Sequence, residues 1–408
     1  MGKRIWIVNF YTSNPTACSN PRYKELSKHF MDAGYDVIYF NSSKVEKEKF
    51  VGEFVERSYG DYKCVHVKAP EFVGNEFKRI KSIWSWAWWL YRNCKKFPKP
   101  DIVLHNLHTP FDYPILWMAK RLNAKYIAEA WDLWPEAFVR FGLVSSKNPI
   151  MKLAFFAERK LYERADQIIF TLEGVSDYLR SKGWTSDNGG KIDINKIHYI
   201  NNGINLSEFD SNVIKHPRPD TDINTQGIYK IIYLGSIRLA NNVKLLIDAA
   251  ALLKDNPKYK FFLYGDGNDR EMLEQLVREK HIDNVIFKEK RIPLEEVAWV
   301  VSQATVNILN YQKNVGLHGI SSGKMFQYFA AGKPICCNVG MKYSMINNYN
   351  LGIDVLLDTP EKYAAAIRKL AEQPLEEYNN MCARVRKAGE DFDYAKLAAK
   401  EIEVLRKC

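Results

Sequence analysis

The run Gly319-Ile-Ser-Ser-Gly-Lys-Met-Phe-Gln-Tyr-Phe-Ala-Ala-Gly-Lys-Pro-Ile335 sets two serines, a glycine and a lysine ahead of a short helical stretch closed by glycine and proline. A helix N-terminus offers unpaired N–H groups and a partial positive charge, which suit a phosphate. Ser321 or Ser322 can cap this helix, Gly323 lets a ligand approach the backbone, and Lys324 adds a full charge. Lys324 and Gln327 stand three residues apart on one helical face, so both can reach one ligand, and a nucleoside diphosphate fits. The same residues also describe a capped helix whose Met325, Phe326, Phe329 and Ala330 pack in a core.

Further candidates follow apolar runs. His108 in His105-Asn-Leu-His-Thr-Pro110 and Asp132 in Trp131-Asp-Leu-Trp134 stand just after two predicted strands, where catalytic groups or loop-stabilising hydrogen bonds are both expected. His105 reads as structural. Trp131 and Trp134 have rings that can stack on an acceptor sugar or pack. Gly235-Ser236, Arg238 and Gly265-Asp-Gly267 also follow strand-like runs, and a ligand in a doubly wound sheet sits at such strand ends.

The elements that must position these residues alternate between strand and helix. Ile5–Val8, a helix over Pro21–Gly34 and Asp36–Phe40 make a βαβ unit, and the rhythm continues through Ile102–His105, Tyr126–Ala130, Gln167–Thr171 and Ile197–Ile200. A polar, proline-bearing stretch, Ser211–Gly227, reads as a linker. A second alternation runs through Lys230–Gly235, Lys260–Gly267, Asn284–Phe287, Thr305–Leu309 and Pro334–Cys337. The expected fold is α/β: two Rossmann-like domains, 1–208 and 209–392, facing across a cleft, with a C-terminal helix at about 393–408 packing back on the first.

At 408 residues with 46% hydrophobic content, the chain can build two cores, and disorder is excluded. Its net charge of +11 favours an anionic partner. The basic residues are scattered and no aromatic-basic RNA motif appears, so nucleic acid is not the expected partner. Neither βα turn carries G-x-G-x-x-G, which argues against a dinucleotide dehydrogenase. The seven cysteines are odd in number and form no C-x-x-C pair, so free thiols are expected. No D-x-D pattern ends a strand, so neither a metal nor another cofactor is expected. The first residues lack the apolar run of a signal peptide and no stretch is long enough to span a bilayer; a cytoplasmic location is expected.

Several strings together resemble the retaining glycosyltransferases of the large fourth sequence family, which have the GT-B fold. In the second domain these are Tyr233-Leu-Gly-Ser-Ile237, Phe262-Leu-Tyr-Gly-Asp-Gly267, Asp283-Asn-Val-Ile-Phe287 and Ala330-Ala-Gly-Lys-Pro-Ile335. In the first they are Glu129-Ala-Trp-Asp-Leu-Trp-Pro-Glu136, Glu163-Arg-Ala-Asp166 and Ile200-Asn-Asn-Gly-Ile204. The Asp-Leu-Trp-Pro-Glu string is similar to a branch that builds bacterial surface polysaccharides, capsule and O-antigen among them, often on lipid-linked acceptors. The resemblance implies transfer of a hexose from a nucleoside-diphosphate sugar, UDP favoured, with front-face attack and the leaving phosphate as base. Donor contacts are then expected from Gly235, Ser236, Arg238, Gly265, Gly267, Ser322, Gly323, Lys324 and Gln327, and acceptor contacts from Arg22, Trp131 and Trp134. The loop Thr12–Asn20 is expected to line the cleft.

The chain departs from that family's pattern at four positions. The two donor-site glutamates fall on Gly319 and Gln327, and the diphosphate-binding arginine and lysine fall near Ser236 and Asn241. Glutamine can still hydrogen-bond ribose hydroxyls, and Arg238 or Lys324 can supply the charge. A sugar-nucleotide epimerase or hydrolase of the same fold, or a catalytically silent scaffold subunit, are the alternatives.

The stretch Lys78–Lys96 packs four tryptophans between basic residues. Ile80, Ile83, Trp84, Ala87, Tyr91 and Cys94 trace one helical face, with Trp86 and Trp89 leaving it. Trp84, Trp86, Trp88 and Trp89 are expected to contact the inner face of the cell membrane, as suits a polyprenyl-diphosphate-linked acceptor. Core packing of the same face is the other possibility.

Overall fold

The β-branched and aromatic runs form two separate sheets. The computed structural model describes residues 2–12, 14–15, 21–43, 51–72, 76–140, 142–313 and 317–408. Ser13 and residues 16–20 of the first loop, expected beside the donor, lie outside them. The chain divides into one unit of Met1–Asn201 with Tyr394–Cys408, and a second of Asn202–Asp393.

The first unit carries β1 (Arg4–Val8), β2 (Asp36–Ser42), β3 (Phe54–Tyr59), β4 (Tyr62–Val67), β5 (Ile102–Asn106), β6 (Lys125–Ala130), β7 (Gln167–Phe170) and β8 (Ile197–Tyr199). Their order is β3-β4-β2-β1-β5-β6-β7-β8, parallel throughout except for the β3–β4 pair. β1 lies at the centre, with Ile7 opposite both Tyr39 and Leu104. Its side chains alternate between two apolar layers. Trp6 and Val8 join Trp86, Leu90, Ile115 and Leu161, while Ile5 and Ile7 join Leu26, Phe30, Leu397 and Leu405. Covering both faces is what allows strands this apolar.

The antiparallel β3–β4 hairpin was not expected from the sequence. Phe54–Tyr59 alternates exposed and part-buried positions, as an edge strand does, and a Gly60-Asp61 turn joins it to β4, with Gly60 at φ 62°.

The second unit has a wholly parallel sheet of β9 (Tyr229–Leu234), β10 (Tyr259–Tyr264), β11 (Val285–Phe287), β12 (Val306–Leu309), β13 (Ile335–Cys337) and β14 (Gly352–Asp354), in the order β11-β10-β9-β12-β13-β14. The last, three residues beginning with glycine, is too short to read from sequence. Ser211–Gly227 is not a linker: it lies inside this unit. Helix Leu206–Lys215 buries Phe209 beside Val297 and Val301, and Ile223 is fully buried beside Phe262.

Helix Glu76–Asn93 is rotated from the expected face. Ser82, Ile83, Trp86, Ala87 and Leu90, with Cys94 just beyond, are its buried positions, and Trp86 is only 1% exposed, its indole Nε1 donating to the Asn41 carbonyl at 3.1 Å. Trp89 is half-buried against Phe54 and Phe97. Trp86 and Trp89 therefore leave the set of membrane-contact residues, whereas Trp84 and Trp88 are exposed. Among the described residues no helix is long and apolar enough to cross a membrane.

Candidate active site

In the second unit the loops after β9 and β10 interlock. Gly235 N donates to Tyr264 O at 3.1 Å and Ile237 N to Asp266 O at 2.9 Å. Gly265 sits at φ 135°, and a Cβ there would overlap the Gly235 carbonyl, so this crossing requires glycine. Gly267, similarly, leaves room for Ile237 O.

Lys324 comes up against this loop pair from the second residue of helix Gly323–Ala331. Its Nζ lies 4.6 Å from the ring centre of Tyr311 and 5.1 Å from that of Tyr233. Gly235 keeps the space open: a Cβ there would stand 3.3 Å from Nζ. Among the described residues the ammonium meets no carboxylate, and burial pushes its pKa down to about 8. Two aromatic faces attract the cation without neutralising it.

Neither expected serine caps the helix through its side chain. Ser322 occupies the N-cap with an extended backbone and no side-chain bond to the helix, while Ser321 Oγ accepts from Asn202 N at 2.9 Å. The Gly323 and Lys324 N–H groups are thus among the orphan donors of the first turn. Gln327 follows one turn later, half-buried, and its amide has no hydrogen-bond partner among the described residues. Arg238 is exposed and unpaired among them.

In the first unit, Asp132 is exposed at a small recess shared with Thr109, Trp134, Glu158 and Tyr162. It has no hydrogen bond or ion pair among the described residues, and desolvation by its surroundings raises its carboxyl. Trp134 packs edge-on against Phe138 at 4.7 Å, with the Arg79 guanidinium over its ring at 5.5 Å. Glu158 is buried, accepts from Tyr178 Oη at 2.9 Å and Tyr162 Oη at 3.2 Å, and is pushed up to about 8 by burial.

Two expected residues are placed elsewhere. His108 Nε2 accepts the Phe10 N–H at 3.1 Å, and burial, aided by the Arg79 charge, lowers its pKa to about 3. The nitrogen that would take a proton is already engaged in clamping this loop. Arg22 is fully buried: Nε donates to Glu129 Oε1 at 2.8 Å, Nη1 to Asn201 O at 2.6 Å and Nη2 to Glu401 Oε2 at 3.2 Å. It ties four segments of the first unit together and is not available to an acceptor. Trp131 is half-buried 5.4 Å from Tyr23, with an indole N–H that has no partner among the described residues. His105 Nδ1 pairs with Tyr126 Oη at 2.8 Å.

Comparison with known families decides what these two units are. Residues 220–391 match the family described as Glycosyl transferases group 1, and residues 22–208 match Glycosyltransferase Family 4. Glycosyltransferase models thus match both units in turn. Its fold is GT-B. Sucrose-phosphate synthase from Thermosynechococcus elongatus superposes with a TM-score of 0.72 at 18% identity, over 99% of this chain and 98% of that one. Anabaena HepE in complex with UDP and glucose superposes at 0.66 and 12% identity over the whole of both chains. TuaH of Bacillus subtilis, a glycosyltransferase assigned by name to teichuronic acid biosynthesis, is 27% identical over 209 residues. That alignment spans 50% of this chain and 48% of the relative, so the chain matches about half the length of that protein.

Within this GT-B fold, the departures noted in the sequence have a local logic. Ser236 and Asn241 bond to one another, the Asn241 amide reaching Ser236 Oγ at 2.6 Å, so a neutral pair stands where the resemblance implies two cations. Gly319 is buried at φ 94°, a backbone conformation that a glutamate adopts only with strain. The sequence did not point to Tyr233 and Tyr311, although Tyr311 follows β12 at the strand end where ligands gather. Nor did it point to Glu158, whose i,i+4 spacing from Tyr162 was the available signal.

Proposed function

We propose that the protein transfers a hexose, with retention, from a nucleoside-diphosphate sugar to a glycan or lipid-linked acceptor in bacterial surface polysaccharide synthesis. The observation that carries this is the Lys324 ammonium, caged by Tyr233 and Tyr311 with no counter-charge among the described residues, in the first turn of a helix with orphan N–H groups. A diphosphate supplies the missing negative charge. UDP is the favoured nucleotide, since HepE of the same fold is described with UDP and glucose, and the name of TuaH supports a surface-polymer acceptor.

Each residue then has a task. Lys324 and the N–H groups of Gly323 and Lys324 stabilise the charge that develops on the departing diphosphate, which is where electrostatic catalysis acts. The Gln327 amide hydrogen-bonds the ribose hydroxyls. In the first unit Asp132 and Trp134 orient the acceptor. The bond from sugar C1 to the phosphate oxygen breaks, the bond from C1 to the acceptor oxygen forms on the same face, and the acceptor proton passes to the departing diphosphate. The positive charge comes from the ammonium and the helix terminus, and the proposal invokes no metal. A lipid-borne acceptor sets the enzyme at the inner membrane face, with the exposed Trp84 and Trp88 turned towards it.

The absence of carboxylates at Gly319 and Gln327 favours a second possibility, a silent scaffold subunit. A thermal-shift screen against UDP, GDP, ADP, CMP and dTDP separates the two, because a ligand of the folded state raises its melting temperature. A selective rise with UDP, followed by transfer from a UDP-sugar, is expected; no rise with any nucleotide would replace the enzyme with the scaffold.

A further inference from the structure

Three helices of the first unit carry outward stripes of aromatic and basic residues. On helix Glu76–Asn93 the exposed positions include Lys81, Trp84, Trp88 and Arg92, spaced by three or four. On helix Tyr113–Arg121 they are Trp117, Lys120 and Arg121, and on helix Pro149–Arg164 they include Ile150, Leu153, Phe156 and Arg164.

The first two stripes touch. Trp84 and Trp88 stack at 6.5 Å with 8° between their planes, and Trp117 meets both edge-on at 6.4 Å. Tyr113 Oη donates to Ala157 O at 2.7 Å and so links the second helix to the third. A surface recess is lined by Trp84, Tyr113, Trp117 and Phe156 together with Lys160 and Arg164. Trp84, Trp88, Trp117, Phe156, Leu153 and Ile150 remain between 38% and 63% exposed, so this is a contiguous apolar patch and not isolated surface residues.

The exposed charge of the described residues around the patch is mainly basic. Among the described side chains of the three helices the only carboxylates are Glu158, buried beneath Tyr162 and Tyr178, and Glu163, paired with Arg159 and Lys160. Arg164 has no carboxylate partner among the described residues. Indole rings favour the boundary between water and acyl chains, and arginine and lysine beside them are drawn to anionic headgroups.

We propose that this three-helix surface docks on an anionic phospholipid bilayer, with Trp84, Trp88, Trp117 and Phe156 entering the interface and Arg164 meeting lipid phosphates. The inference rests on the reading of a lipid-borne acceptor and extends it to residues on helices that the tryptophan-rich stretch does not include.

The test is cosedimentation of the full chain with phosphatidylglycerol-containing vesicles and with phosphatidylcholine vesicles. A Phe156→Ser/Arg164→Glu double variant changes two exposed positions and keeps the core, which circular dichroism and the UDP-induced shift in melting temperature verify. Binding to the anionic vesicles, reduced about tenfold or more in the variant, is expected. Absence of wild-type binding, equal binding to both vesicles, or equal binding by the variant would overturn the proposal. So would a wild-type dimer that the variant dissolves, since the face would then belong to a second copy. Vesicle binding by a protein that ignores every nucleotide supports the surface while removing the sugar-transfer reading.

Discussion

Lys324 holds its ammonium 4.6 Å from the centre of the Tyr311 ring, and no carboxylate answers it among the described residues. Its folded pKa of about 8 lies below the ordinary 10.5 because burial disfavours the charged form. Between those values the unfolded chain binds more protons than the folded one, so the stability of the nucleotide-free protein rises with pH from about 8 towards 10.5.

Nucleotide binding should run the other way. A bound diphosphate favours the ammonium, so UDP affinity is constant below pH 8 and falls by about tenfold per unit above it, as titration calorimetry across pH 7–10 reads. Lys324→Ala should weaken binding and flatten this profile. A flat profile in the wild-type protein would remove the charge from the phosphate site.

Gly235→Ala tests the space above that charge. The new methyl stands 3.3 Å from Lys324 Nζ and 3.2 Å from Tyr233 Oη, tight enough to displace the flexible ammonium. UDP affinity should fall by roughly tenfold, and the melting temperature should fall as well, because φ is 159° at Gly235, a backbone conformation that an alanine adopts only with strain. Gly265→Ala should instead unfold the loop pair, because its methyl overlaps the Gly235 carbonyl.

Trp84 and Trp86 stand two residues apart and should behave oppositely. Trp86→Ser removes a buried ring and its hydrogen bond to Asn41, a loss of about 3–5 kcal/mol in chemical denaturation. Trp84→Ser should leave the denaturation midpoint near the wild-type value and weaken attachment to anionic vesicles.

Arg22 is the only cation in contact with the two buried carboxylates of its cluster, Glu129 and Glu401, among the described residues. Arg22→Met should destabilise by about 3–5 kcal/mol, since it leaves buried charge uncompensated. Glu401→Gln should be mild at neutral pH: burial raises the Glu401 carboxyl, so the neutral amide differs less from the native state. Equal losses in both variants would contradict this division of roles.

The fold was legible where both faces of a strand are buried, because Ile5–Val8 or Ile231–Leu234 cannot be solvated and must be central. It was not legible in β3 and β4, where an edge strand exposes alternate residues and its apolar content drops. Within the candidate site, Lys324 could be found from the helix-start chemistry, but its tyrosine cage required knowing which strand ends are neighbours. Arg22 and His108 illustrate the converse. Their residue types suggest ligand chemistry, and only packing reveals that Glu129, Glu401 and the Phe10 N–H have already claimed them. Helical periodicity likewise gave a buried face for Glu76–Asn93 that kept Ile83, Ala87 and Cys94 but took Trp84 in place of Trp86, since tryptophan suits either side.

Glu401 reaches Arg22 from 379 residues further along the chain. During synthesis the ribosome therefore delivers every strand of the first sheet, and then the whole of the second unit, before helix Tyr394–Arg406 emerges to cover Leu26 and Phe30. The later-made unit is free to finish folding while Leu26 and Phe30 of the earlier one still await their cover.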